Sequence, residues 1–172
     1  SYLINYRYST LALIDNLNLV DYGGVPKYQD LTFKVNLPTK RAGKFSMFAL
    51  LGKSGIDLVE EDENEKVIED GSQYGGFGIV GLSHLYQINN NSFIKTTIAA
   101  SNNGTNINFR TRADDDSFIE TNKAHWNKNT LNAAIKYSNK FNAKHRLIIG
   151  ADYKHFFYDM KDENYFEKEE KW

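Results

Sequence analysis

A two-residue hydrophobic period recurs along this chain and limits its fold more than any other feature. In Tyr2 to Ile14 the even positions read Tyr2, Ile4, Tyr6, Tyr8, Thr10, Ala12 and Ile14. The odd positions include polar Asn5, Arg7 and Ser9 before drifting to Leu11 and Leu13. Leu31, Phe33, Val35 and Leu37 alternate with Thr32, Lys34 and Asn36, and Leu131, Ala133, Ile135 and Tyr137 alternate with Asn132, Ala134 and Lys136. Leu147, Ile149, Ala151, Tyr153 and Phe157 share one parity, and Arg146, Gly150, Asp152 and Lys154 share the other. Successive side chains of a strand point to opposite faces, so each pattern predicts a strand with one apolar face. Phe45 to Leu51, Phe77 to Ile88 and Phe93 to Asn102 are noisier but also read as strands. Apolar crowding in Leu11 to Leu19 admits a helix there, although Asn16 and Asn18 weaken it.

The connections alternate in length. Pro38 to Gly43, Asn89 to Ser92 and Asn139 to Lys144 are tight turns, whereas Asn16 to Gln29, Ser54 to Gln73 and Asn108 to Asn129 are long polar stretches that read as loops. Short turns at one end and long loops at the other is the asymmetry of outer-membrane barrels. A tilted membrane strand needs about 9 to 11 residues, against about 5 to 6 in typical soluble strands, and the segments run near the longer figure. The expected fold is therefore all-β: an antiparallel meander of long strands, part of a transmembrane β-barrel, with residues 1–172 as one barrel segment. Composition agrees, with 11 Tyr, 11 Phe and only 2 Pro, because aromatics favour strands. No apolar run approaches the roughly 18 residues of a membrane-spanning helix. Aromatics such as Tyr2, Tyr6, Tyr8, Phe45, Tyr86, Phe93, Tyr137, Phe141, Phe157 and Tyr158 fall mostly toward strand ends, as in interfacial girdles. A soluble sheet with one face on a core would give the same alternation and could use the same aromatics for cross-strand pairing.

Charge and chemistry narrow the function. The formal net charge is −1, with basic residues spread among acids, so nucleic acid is not an expected partner. The absence of cysteine excludes disulfides and thiolate metal sites. His84, His125, His145 and His155 are scattered, so neither catalysis nor a metal or cofactor is expected. The acidic runs Glu60 to Glu65 and Asp114 to Asp116 fit no EF-hand spacing and read as solvated loop. Gly75-Gly76-Phe77-Gly78 lacks the ending of a phosphate loop and reads as a loop-to-strand entry. Ligand contact is expected from the long loops: Tyr22, Tyr28, Tyr74, Phe118 and Trp126 for stacking on a sugar or other planar ligand, Arg110 and Arg112 for anionic groups. The chain opens at Ser1 inside a strand pattern without an initiating Met and closes in the charged stretch to Trp172, so both ends are expected to be cuts from something longer.

The stretches Asn5-Tyr6-Arg7-Tyr8-Ser9-Thr10-Leu11, Val25 to Lys34 and Asn36 to Ser46 together resemble the barrel of TonB-dependent receptors of the Bacteroidetes type. The likeness is densest over the first third, and Pro38 to Gly43 looks like a periplasmic hairpin of that family. The resemblance implies a 22-stranded barrel closed by a plug, set in outer-membrane lipid. It also implies energy-coupled uptake of a small-molecule or glycan nutrient, driven by the TonB complex through the plug. Neither a plug nor a TonB box is found in the sequence, so the rest of the barrel and the plug are expected partners. A soluble β-rich carbohydrate-binding module and a small complete outer-membrane barrel are the competing readings.

Overall fold

The computed structural model describes residues 1–9, 24 and 26–164. The upper part of the first alternation, the alternative helix and the ligand candidate Tyr22 lie outside the described residues. Within them the chain forms β1 (Tyr2–Tyr8), β2 (Lys27–Pro38), β3 (Lys44–Glu61), β4 (Val67–Asn89), β5 (Ser92–Arg112), β6 (Phe118–Lys140) and β7 (Arg146–Asn164). All pair antiparallel in chain order in one seven-stranded sheet. The all-β antiparallel meander expected from the period is present.

Register brings the apolar parities of the strands onto one face. Tyr2, Val35, Met47, Leu82, Ile98, Ala133 and Tyr153 lie in one row across all seven strands, followed by Ile4, Phe33, Ala49, Val80, Ala100, Leu131 and His155. One residue along, the row of the other face reads Leu3, Lys34, Phe48, Gly81, Ala99, Asn132 and Lys154. A slip of a single residue on any strand would send its apolar set to the other side. Phe45 to Leu51 and Phe77 to Ile88 are noisy in sequence because Phe48, Leu50, Ile79 and Leu85 make their mixed face partly apolar as well.

Nothing in the described structure covers the apolar face. Among the described residues the buried hydrophobic ones are Ala99 and Ala124 alone, while Leu82, Ile98 and Ile149 are 61%, 56% and 57% exposed. A water-soluble domain buries such a face against a second layer; here the described residues form one layer.

The long-loop expectation is corrected at two of its three places. Ser54 to Gln73 and Asn108 to Asn129 are mostly strand, and the chain reverses in tight turns at residues 62–66 and 113–117. Gly75 to Gly78 sits inside β4 rather than at a strand entry. Polar and apolar residues mix on both faces of these extensions, so the period falls silent while the backbone ladder continues. The acidic runs are likewise ordered: Glu60 and Glu61 end β3, and Asp62 Oδ1 accepts from the N–H groups of Asn64 and Lys66 at 2.8 and 2.9 Å.

At the opposite end the turns are as short as expected. Thr39 Oγ1 donates to the Gly43 carbonyl at 2.7 Å and accepts from the Ala42 N–H at 2.9 Å, with Gly43 at φ 81°. Asn89 Oδ1 accepts from Asn91 and Ser92, and Asn142 Oδ1 from Lys144 and His145. These side chains replace the hydrogen bonds that a reversing backbone loses. The sheet does not close on itself: β1 and β7 are its two edges, exposed throughout.

Candidate functional site

The ligand candidates divide between the two faces. Tyr28 and Trp126 share the mixed face and the row Tyr28, Ser54, Gly75, Thr105, Trp126, Met160. Tyr74, Arg110, Arg112 and Phe118 carry the parity of the apolar face, on the polar hairpin extensions beyond its apolar band. The structure thus brings Tyr28 and Trp126 to one surface and separates them from the other four.

The two arginines are already paired. Arg110 makes a two-pronged contact with Asp70, its Nε 2.9 Å from Oδ1 and a second nitrogen on Oδ2, and this raises its pKa further above the ordinary guanidinium value. Arg112 donates to Asp116 at 3.0 Å and to the Val67 carbonyl at 3.0 Å. Both guanidinium groups stand near the Phe118 ring, 5.7 and 5.8 Å from its centroid. Each of the two arginines expected to hold anionic groups thus already faces a carboxylate of this chain. Tyr74 is engaged too, donating its hydroxyl to Asp57, and that bond pushes its pKa up.

At the hairpin tips Asp116 also accepts from Lys66 Nζ at 2.7 Å, joining the β3–β4 turn to the β5–β6 turn. This hydrogen bond, reinforced by the charges of Lys66 and Arg112, lowers the Asp116 pKa. The Lys66 and Asn64 N–H groups lower that of Asp62, and the Ser117 hydroxyl and N–H lower that of Asp115. The tips are hydrogen-bonded structures built from the residues that looked like free acidic loop.

The mixed face carries an arrangement the sequence left unseen. Next to the Tyr28–Trp126 row runs Arg7, Asp30, Gly52, Phe77, Asn103, Lys128 and Tyr158. Arg7 Nε lies 3.0 and 2.9 Å from the two oxygens of Asp30. The Lys128 ammonium sits 4.7 Å from the centroid of Phe156 and 5.6 Å from that of Tyr158, within cation–π range. Phe77 lies across Gly52, where any Cβ would strike its ring. Gly75 is different: a Cβ there would meet its nearest neighbour at 3.5 Å, an ordinary contact, so a side chain fits without a clash. Two hollows result, one bounded by Tyr28, Phe77 and Arg7–Asp30, the other by Trp126, Lys128 and Met160, with Asn103 and Thr105 lining both. Sequence reasoning missed Phe77, Asn103, Thr105 and Lys128 because their link to Tyr28 and Trp126 is cross-strand register, which no local pattern encodes.

Among the described residues no three His, Asp or Glu side chains converge on a metal-sized site. Compared with known proteins, the chain matches no family model, no curated protein and no solved structure.

Proposed function

We propose that this chain is a section of the wall of an outer-membrane transport barrel of the TonB-dependent receptor type. Its apolar face meets lipid, and its mixed face lines a hydrated interior through which a nutrient passes. The observation that carries this reading is the single apolar band running across seven strands with no second layer over it among the described residues. Soluble monomers rarely expose a contiguous apolar surface of this kind to water. Against acyl chains it is the ordinary exterior of a barrel.

The dimensions support it. On β7 the band from Leu147 to Phe157 is about 33 Å long at about 3.3 Å per residue. At a strand tilt near 40° that is about 25 Å along the membrane normal, the usual height of the apolar belt. On β2, β3, β5 and β6 the band is narrower, ending at Gln29, Lys53, Asn102 and Asn129; the long side chains of Gln29 and Lys53 can reach up to the headgroups. Tyr86 and Tyr137 at the turn end, and Tyr6, Tyr8 and Phe157 at the other, supply the aromatic rims.

The open edges favour a part of a large barrel over a small complete one, which would need β1 paired with β7. Exposed edge strands invite further strands, and the remainder of the barrel supplies them. Coupling to the TonB complex belongs to the plug. The protein carrying this chain should fractionate with outer membranes, leave them only in detergent, and migrate faster on a gel before boiling than after. Recovery as a folded monomer from an aqueous extract without detergent would overturn the proposal in favour of a soluble carbohydrate-binding module.

A further inference from the structure

We infer that the apolar face carries a site for one anionic phospholipid at its turn end. The acyl chain lies in a hollow over β3 to β5, and the phosphate meets Lys40 and Arg41 of the β2–β3 turn. The inference deepens the proposed function and rests on it in one respect, that this face meets acyl chains.

Three observations define the ligand. The first is the slot. Leu37, Phe45, Met47, Leu82, Thr96 and Ile98 bound a hollow of about 370 Å³ on the apolar face. Thr96 is smaller than its cross-strand neighbours His84 and Ile135, so the surface dips there. A flexible hydrocarbon chain laid in such a dip gains contacts that an empty one forfeits. The second is the tie between slot and turn. His84, at the turn-ward edge of the hollow, stacks on Phe45 with 4.3 Å between ring centroids and donates its Nε2–H to the Ala42 carbonyl at 2.6 Å. The turn also lies against β4, since a Cβ at Gly43 would strike the Leu85 carbonyl. Lys40 and Arg41, both exposed and just before Ala42, therefore stand beside the mouth of the slot. Neither is ion-paired with a carboxylate among the described residues. The third is charge. On the turn side of the row from Ile4 to His155, residues 34–48, 81–99 and 132–154 carry ten Lys and Arg against one carboxylate, Asp152. The field at this end attracts anions, and a phosphodiester joined to an acyl chain matches cations and slot together. The hollow at the other end of the band, bounded by Leu51, Gly78, Leu131 and Phe157, is bordered by the amides of Asn102 and Asn129, which hydrogen-bond each other, and by no cation among its lining residues.

Lipid retention provides the test. The intact protein would be reconstituted in vesicles of phosphatidylcholine and phosphatidylglycerol in equal parts, released into mild detergent, and weighed by native mass spectrometry with its retained lipids. One phosphatidylglycerol should be kept in preference to phosphatidylcholine by about tenfold or more, the effect of two cations beside an anionic headgroup. The double variant Lys40→Ala, Arg41→Ala should bring that preference close to unity. Thr96→Leu, which fills the slot without touching a charge, should lower the amount of phosphatidylglycerol retained. Lys53→Gln, which removes a cation at the other end of the band, should change nothing. Gel mobility before boiling checks the fold of each variant. Equal retention of the two lipids by the wild type, an unchanged preference in the double variant, or full retention in Thr96→Leu overturns the site and leaves the barrel reading standing. So does loss of the preference in Lys53→Gln, or displacement of the lipid by millimolar inorganic phosphate, which would mark a site for free anions. A protein that does not enter the vesicles at all would bring down the barrel reading, and the site with it.

Discussion

Ile98 offers the sharpest test of which face meets lipid. It lies on β5 in the middle of the apolar band, directly between Leu82 and Ala133, and is 56% exposed. Its chain neighbour Thr97 lies on the mixed face between Ser83 and Ala134, with its hydroxyl 3.3 Å from that of Ser83. If the apolar face looks into the bilayer, Ile98→Arg buries a charge near the hydrocarbon midplane, at a cost of about 2 to 4 kcal/mol. That corresponds to roughly 30- to 900-fold in the folding equilibrium. Thr97→Arg loses one weak hydrogen bond, about 1 kcal/mol or less, and its charge stays in water. The assay is guanidinium unfolding of the protein reconstituted in phospholipid vesicles, followed by tryptophan emission. The reasoning predicts a large loss for Ile98→Arg and a small one for Thr97→Arg. It is refuted if Ile98→Arg unfolds within about 0.5 kcal/mol of wild type, the ordinary cost of a surface substitution, or if Thr97→Arg is the more costly change.

Two further predictions concern the turns. Gly43 has φ 81°, and a Cβ there would run into the backbone of Leu85 and Tyr86. Gly43→Ala should therefore destabilise the β2–β3 hairpin by about 1 to 2 kcal/mol or more, read as earlier unfolding in the same guanidinium titration. Asp62, Asp115 and Asp116 have lowered pKa values, so their contribution to tip order is complete above the ordinary Asp value near 3.9. It is lost as pH falls through their depressed values. Amide exchange at residues 62–66 and 113–117 should accelerate over that acid range while the apolar band stays protected. Tips that loosen instead between pH 5 and 7 would show that other groups hold them.

Much of the architecture was legible in the residues themselves. Alternation along Leu31 to Leu37, Leu131 to Tyr137 and Leu147 to Phe157 reports a strand directly, because pleating turns the order of residues into two faces. The short turns were equally plain, since Thr39, Gly43, Asn89 and Asn142 do their work within a few residues of themselves. The polar hairpin extensions were not legible. Polar and apolar residues mix without a period there, so Ser54 to Gln73 and Asn108 to Asn129 resembled loops although backbone pairing carries them on as strand.

The candidate site was legible only in fragments. Tyr28 and Trp126 stood out as aromatics in polar surroundings, yet nothing local joined them to Phe77, Asn103, Thr105 or Lys128, or separated them from Tyr74. The sequence by itself determined strand, face and turn, each of which depends on neighbours two to five positions away. Only the tertiary structure decided which strands lie side by side, in what register, and which polar groups satisfy one another. Cross-strand hydrogen bonds join residues remote in the chain, and the ladder accepts any side chain that its register presents. The partnership of Arg110 with Asp70, and the row from Tyr28 to Trp126, exist only once that register is set.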